Sequence, residues 1–451
     1  MKNRREFLST VGAAGAASIL ASSAGTGRTL GAEDTEKLAI DGGTPVREAP
    51  LRYQPYGPQF YNEVEKREIL DVLESRRPFR WSKSDSKVLQ FEEAYATHIG
   101  VKYALGVTSG TTALSAALAA LEIGPGDEVI LPAWTWYADY DTVVLAGALP
   151  VFAEVDGSLN IDPEDIESRI TSRTKAIIAV SLQGCPADMD PILAIASKHN
   201  LRVLEDFSQC VGGRYRGKYL GSLGDIGISS FQQSKTITAG EGGAVVTNDP
   251  ELFERAARFH DVGSLRGPHK DNLDGGAING FAASNFRMSE FTGAILKAQE
   301  RDLDPICTAL RNNARTVREG IADLPGLKPR KTPDPDGDLG VTVFLDLDTR
   351  QRRDDFLRAL RAEGIAASPP GGSVILPIDP RIENKLTVHP DWPSFNSPRG
   401  RAIRYGRECC PQTIDVQNRE GGVIMDPNFT GEDLNDIVRA IRKVYLGLNL
   451  A

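Results

Sequence analysis

The stretch Ser229-Ser230-Phe231-Gln232-Gln233-Ser234-Lys235-Thr236-Ile237-Thr238-Ala239-Gly240-Glu241-Gly242-Gly243 sets one lysine between a short strand and a glycine-rich turn. Ile226 to Phe231 before it and Ala244 to Thr247 after it have the apolar content of buried strands. A lysine taken alone reads as a solvated surface charge. To act as a base near neutral pH its pKa must fall by about 3 units, roughly 4 kcal/mol. Burial, a neighbouring cation or conversion to a Schiff base brings that about.

Two other segments change the reading of that lysine. Arg202 to Leu204 begins a strand that ends on Glu205-Asp206-Phe207-Ser208-Gln209. An acid at the C-terminal end of a strand faces the crevice where open α/β sheets bind ligands. Buried there, it needs a cation or strong hydrogen bonds, and a protonated pyridine nitrogen is one such partner. Further upstream, Ser109-Gly110-Thr111-Thr112 joins the strand Tyr103 to Val107 to an Ala/Leu-rich helix, Ala113 to Leu121. Free N–H groups and the dipole at a helix start make an anion site. The dipole alone gives about 0.3–1 kcal/mol, so hydroxyls must add to it. The three features occur in order, ~100 and ~30 residues apart, the scale on which successive βα units bring strand ends to one crevice.

Around them, Glu128 to Leu131, Val151 to Val155 and Ala176 to Leu182 read as strands, and Asp190-Pro191 opens a helix running to about His199. The alternation predicts an α/β domain with a largely parallel sheet. After about Leu303 the pattern changes. One long helix is expected from Ser289 toward Leu324, then a turn at Thr332 to Gly337, a strand from Val341 to Leu347 and an amphipathic helix from Arg352 to Glu363. Residues 366–400, rich in Pro, Gly and Ser, read as loops over a site. Thr430 to Asp433 resembles a capping box ahead of the last helix. The expected organisation is an export signal over 1–32, an arm over 33–60, a large domain over 61–303 and a smaller α+β domain over 304–451.

The 451 residues carry a net charge of −9, with 41% hydrophobic and 25% charged residues. Those are ordinary values for a soluble globular protein. The acidic balance argues against a nucleic-acid partner. Five cysteines (Cys185, Cys210, Cys307, Cys409, Cys410) and five histidines show no metal-ligand spacing. Near the N-terminus, Arg4-Arg5-Glu6-Phe7-Leu8 precedes a weakly apolar stretch from Val11 to Ala24. It is short of the ~20 residues needed to span a bilayer. The pattern resembles a twin-arginine export signal, which implies a periplasmic protein, with a basic tail on a cytoplasmic protein as the alternative. No later stretch suits a membrane span.

The chain resembles the DegT/StrS-type sugar aminotransferases, a fold-type-I family that uses pyridoxal 5′-phosphate. The markers are Ser109-Gly110-Thr111, Pro132-x-x-Thr135-Trp136, Gly147-Ala148-x-Pro150-Val151-Phe152, Gly184-x-Pro186-Ala187-Asp188-Met189, Glu205-Asp206-x-x-Gln209, Ser230-Phe231-x-x-x-Lys235 with Gly240-Glu241-Gly242-Gly243, and Asn285-Phe286-Arg287-Met288. The wording Gln232-Gln233-Ser234-Lys235 resembles the branch that aminates cyclitols and keto-sugars with glutamine as donor.

The resemblance implies a role for each matching residue. Lys235 carries the cofactor as a Schiff base and shuttles the proton. Asp206 holds the pyridinium N–H, which keeps the ring an electron sink. Trp136 stacks on the ring. Ser109, Gly110, Thr111 and Ser230 belong to the phosphate site, and Gln209 lies near the phenolic oxygen. Asn285 reaches a phosphate across a dimer interface, which implies a homodimer. Two positions depart from the family. Ser181 stands where a histidine is usual and Asp139 where a small Thr or Ser is common, both near the expected substrate position. The expected activity is transfer of an amino group from glutamine or glutamate to a keto-sugar or keto-cyclitol by a ping-pong mechanism, as in polysaccharide precursor synthesis. The other readings are a non-catalytic cofactor-binding sensor or scaffold and a sugar dehydratase.

Overall fold

The computed structural model describes residues 36–450 apart from 55, 83, 84 and 274. The export signal expected over 1–32 lies outside the described residues. Lys37–Ala451 forms one compact unit.

Its centre is a seven-stranded sheet of β1 (Tyr103–Val107), β2 (Glu128–Pro132), β3 (Leu149–Ala153), β4 (Thr174–Val180), β5 (Arg202–Asp206), β6 (Ile226–Ser230) and β7 (Gly243–Thr247). In space the order is β1-β7-β6-β5-β4-β2-β3. The block from β6 to β3 is parallel, while β7 is antiparallel to both β6 and β1. Six strands therefore point one way and only β7 is reversed. The C-terminal ends of those six and the start of β7 share one edge, where Val107 and Ser230 both pair with Gly243. The expected mainly parallel α/β sheet is present.

The strands are apolar on both faces, as a sheet covered by helices requires. Val129 to Leu131, Ala176 to Val180 and Ile226 with Ile228 are buried. The first helices are α1 (Glu63–Ser75), α2 (Lys87–Ile99), α3 (Gly110–Ala120) and α4 (Tyr137–Leu145). Between α2 and β1, a buried ion pair joins Arg80 Nη2 to Glu92 Oε1 at 2.7 Å. Glu92 also accepts the Gly106 N–H at 2.6 Å, and Arg80 donates to the Gly106 carbonyl at 3.1 Å. Gly106, in the strand that leads to Ser109, is thus tied through both its N–H and its carbonyl.

Two helix boundaries differ from expectation. Helix α5 runs Met189–His199, with Asp188 rather than Asp190 at its N-cap position. Asp188 Oδ1 accepts the Tyr215 hydroxyl at 2.7 Å, so it anchors the entry from outside the helix. The single long helix expected from Ser289 is two, α7 (Glu290–Glu300) and α8 (Leu303–Ile321), following α6 (Pro250–His260). Pro305 explains the break: it has no N–H to give the carbonyl four residues back, and its ring crowds that carbonyl.

Toward the C-terminus, β8 (Thr342–Asp346), β9 (Ala367–Ser368) and β10 (Glu420–Ile424) form an antiparallel sheet ordered β8-β10-β9. It packs against α9 (Arg350–Ala362), and α10 (Gly431–Gly447) packs in turn on α8 and α9. Helix α10 starts with the expected capping box, Thr430 and Asp433 exchanging side-chain and backbone bonds. From this part of the chain Val374-Ile375 crosses to pair with Trp134-Thr135 just beyond β2. That pairing brings the 366–400 segment to the edge where the main strands end. No described helix is long and apolar enough to cross a membrane.

Candidate active site

The shared edge holds a cavity of about 410 Å³. Ser109, Gly110, Thr111, Trp136, Asp206, Gln209, Ser230 and Lys235 all line it. Eight of the nine residues singled out in the sequence therefore meet in one place. Asn285 does not: it is exposed and lies outside this cavity, in a bridge with Asp261.

Each polar group arrives from the end of an element. Ser109 caps α3, accepting the Thr112 N–H at 3.1 Å while Thr112 Oγ1 accepts the Ser109 N–H at 2.9 Å. The N–H groups of Gly110 and Thr111, in the first turn, have no intrahelical acceptor. Ser230 closes β6 directly beside them. The close approach needs glycine, since a Cβ on Gly243 would fall 2.3 Å from the Ser109 carbonyl oxygen. Two backbone N–H groups and the Ser109, Thr111 and Ser230 hydroxyls thus form a cradle with the chemistry of a phosphate site.

Asp206, the last residue of β5, is buried, and its Oδ1 accepts the Ser208 N–H at 2.8 Å. Lys235 is half-buried in the turn after β6, with its carbonyl accepting the Gly57 N–H at 3.2 Å. Among the described residues no carboxylate comes within ion-pair distance of its ammonium. Dehydration in the cavity pushes the Lys235 pKa down, and the charge of Asp206 opposes that only in part. A lysine with a depressed pKa facing a buried acid marks a functional site. Trp136 is 51% exposed although it lines the cavity, so a large aromatic surface stands uncovered next to Lys235 and Asp206.

The donor set suits pyridoxal 5′-phosphate: an anion cradle, a free aromatic face, a buried acid short of a cation, and an amine of lowered basicity. A profile of the "DegT/DnrJ/EryC1/StrS aminotransferase family" matches residues 62–370. The chain belongs to this family. It is a pyridoxal-phosphate-dependent aminotransferase.

Relatives and solved structures agree with that assignment. The aminotransferase is 33% identical over 425 residues to a Micromonospora echinospora protein provisionally named L-glutamine:3-amino-2,3-dideoxy-scyllo-inosose aminotransferase, covering 91% of this chain and 97% of that one. It is 37% identical over 306 residues to the L-glutamine:2-deoxy-scyllo-inosose aminotransferase of Streptoalloteichus tenebrarius, covering 65% and 70%. Among solved structures, 3-amino-5-hydroxybenzoic acid synthase superposes with a TM-score of 0.73 at 27% identity, covering 89% of this chain and all of that one. An aminotransferase from Psychrobacter cryohalolentis gives the same TM-score at 28% identity, covering 88% and 100%.

Several site features were not legible beforehand. Gln183 stands at φ 54° and donates through Nε2 to the Gly371 carbonyl. Gln209, expected near a cofactor oxygen, donates through Nε2 to the Gly372 carbonyl at 3.1 Å and to Ser373 Oγ at 3.0 Å. The two glutamines thereby hold Gly371 to Ser373 against the cavity, and Gly372 lines it. Neither departure from the family pattern is itself a lining residue, although Asp139 lies directly behind Thr135 and Asp206, which are. Ser181 Oγ accepts the Ala187 N–H at 3.1 Å, which closes a turn. Asp139 is buried, its Oδ2 accepting from Thr135 Oγ1 at 2.6 Å.

Proposed function

We propose that this aminotransferase takes an amino group from glutamine or glutamate and gives it to a keto-cyclitol or keto-sugar. The observation that carries the reading is the convergence of Lys235, Asp206 and the α3 cradle on one cavity. Donor and acceptor classes are supported by the names of the relatives, two of which are glutamine:cyclitol aminotransferases. Another relative, 30% identical, is a spore coat polysaccharide biosynthesis protein of Bacillus subtilis.

Bound pyridoxal 5′-phosphate supplies the electron sink for charge that develops at the donor's Cα. Ser109, Gly110, Thr111 and Ser230 would hold its phosphate, Trp136 would cover its ring, and Asp206 would keep its ring nitrogen protonated. Lys235 Nζ would carry the proton between the substrate's Cα and the cofactor's C4′ in each half-reaction, which suits a lysine whose basicity the cavity has lowered. One cavity serves donor and acceptor in turn, so ping-pong kinetics follow.

The test is spectroscopic. Purified enzyme should show the absorbance of lysine-bound pyridoxal phosphate, and glutamine or glutamate should bleach it. A panel of keto-cyclitols and keto-sugars should then restore it. Lys235→Ala should lose that absorbance, keep pyridoxamine phosphate binding and drop turnover by about 10²-fold or more. Coloured wild type that no amino donor bleaches would favour a non-catalytic cofactor holder. Protein that ignores added pyridoxal phosphate would overturn both.

The working form is a homodimer on the same proposal. Asn285 is exposed and outside its own chain's cavity, so a part in cofactor binding requires a second copy. Light scattering that gives a monomer with full activity would remove this. Export by the twin-arginine route is supported by Arg4-Arg5 and the short apolar stretch after it. Fractionation that finds only full-length chain in the cytoplasm would count against it.

A further inference from the structure

Asp139 is an acid in the first turn of α4. It is 1% exposed, and the Asp206 carboxyl beside it is 7% exposed. Asp139 Oδ2 is taken by the Thr135 hydroxyl, whereas Oδ1 is buried with no N–H or O–H donor among the described residues. An ionised carboxylate oxygen in that position would carry an unsatisfied buried charge. Two carboxylates in contact away from water cannot both ionise.

We propose that Asp139 is a positioning residue: it keeps a proton on Oδ1 and donates it as a hydrogen bond to the Asp206 carboxylate. The proton belongs on Asp139 because the surroundings of the two acids differ. Asp206 accepts the Ser208 N–H and faces the Lys235 ammonium, both of which favour its anion. Asp139 has only one hydroxyl to accept from, and both burial and the charge of Asp206 push its pKa well up. A carboxylic acid kept neutral by its surroundings is a competent hydrogen-bond donor at neutral pH. The bond fixes the orientation of Asp206 and makes its carboxylate less basic. A proton on a cationic N–H facing Asp206 is then less readily lost to it.

The effect at the cofactor rests on the aminotransferase reading, but the protonation state does not. Infrared difference spectra of full-length wild type against Asp139→Asn, at pH 7, should show one protonated-carboxyl carbonyl stretch lost in the variant. The difference removes the contribution of other buried acids such as Glu420. The same band should be lost whether pyridoxal phosphate is bound or absent. In the loaded enzyme, Asp139→Leu should shift the pH midpoint of the bound-cofactor absorbance, and Asp139→Asn, which still donates to Asp206, should restore most of it. Absence of the infrared difference overturns the proposal whatever the enzyme catalyses. Equal midpoints in wild type and Asp139→Leu overturn the coupling to Asp206. If Asp139→Leu does not fold, the infrared comparison with Asp139→Asn decides alone.

Discussion

Gly110 and Ser230 meet so closely that a Cβ on the glycine would stand 2.7 Å from the serine Cβ. The start of α3 and the end of β6 are thereby fixed at the separation that makes the anion cradle. Gly110→Ala should push them apart. Overpacking of this kind costs about 1–3 kcal/mol. If the strain falls on the cradle, the Kd for pyridoxal phosphate rises about 10- to 100-fold. Titration of the cofactor-free protein with pyridoxal phosphate measures it, and inorganic phosphate should compete more weakly in the variant.

Trp136 makes the opposite kind of contribution. Half of its surface is open, so its removal leaves no cavity in the core. Trp136→Ala should leave thermal stability within about 0.5 kcal/mol of wild type, as for exposed sites in general. It should weaken cofactor binding by about 0.5–1.5 kcal/mol, the worth of an aromatic stacking contact. Trp136→Phe should recover most of the loss in the same titration.

The Arg80–Glu92 pair is a matter of stability. Burial alone would raise the Glu92 pKa, but the Arg80 guanidinium, His269 and the Gly106 N–H outweigh it and hold the carboxyl at about 2. Its folded value is below the ordinary 4.5, so Glu92 stabilises the fold above pH 4.5 and loses that contribution as pH falls toward 2. Glu92→Gln leaves Arg80 buried without its partner and should cost about 3–5 kcal/mol at pH 7. Denaturant melts at pH 7 and pH 3 should show a smaller difference between wild type and variant at the lower pH.

Glu420 has the reverse sign. It begins β10 opposite Asp346, with Oε2 buried and without a partner among the described residues, and burial raises its pKa to about 8. A carboxyl that prefers its proton in the folded state loses stability as pH rises from 4.5 toward 8. Glu420→Gln should remove that slope. The melting temperature of the variant should gain on wild type steadily across this range, and a constant difference would refute the assignment.

The parts of the site that could be read from the sequence share one physical property. Asp206 and Ser230 end apolar strands, and Ser109 and Lys235 stand in the turns that follow two such strands, so local contrast marks them. Asp139 gives no such contrast. An acid in the first turn of a helix reads as a favourable partner for the dipole, and only the fold reveals the second acid beside it. The contact between Gln183 and Gly371 spans 188 positions, and the Pro/Gly-rich segment around Gly371 has no periodicity to place it. The break between α7 and α8 could have been read from Pro305, but the helical spacing around it continues and conceals it.

The cavity draws on Ser109 at one extreme and Gly372 at the other, and the Lys235 turn is tied back to Gly57. No early fragment of the chain carries a complete site. A growing polypeptide gains its full grip on the cofactor only after residue 372 has been made and the Trp134–Ile375 pairing has formed. Retention of pyridoxal phosphate is therefore a certificate of completed folding, issued in whichever compartment the cofactor was captured.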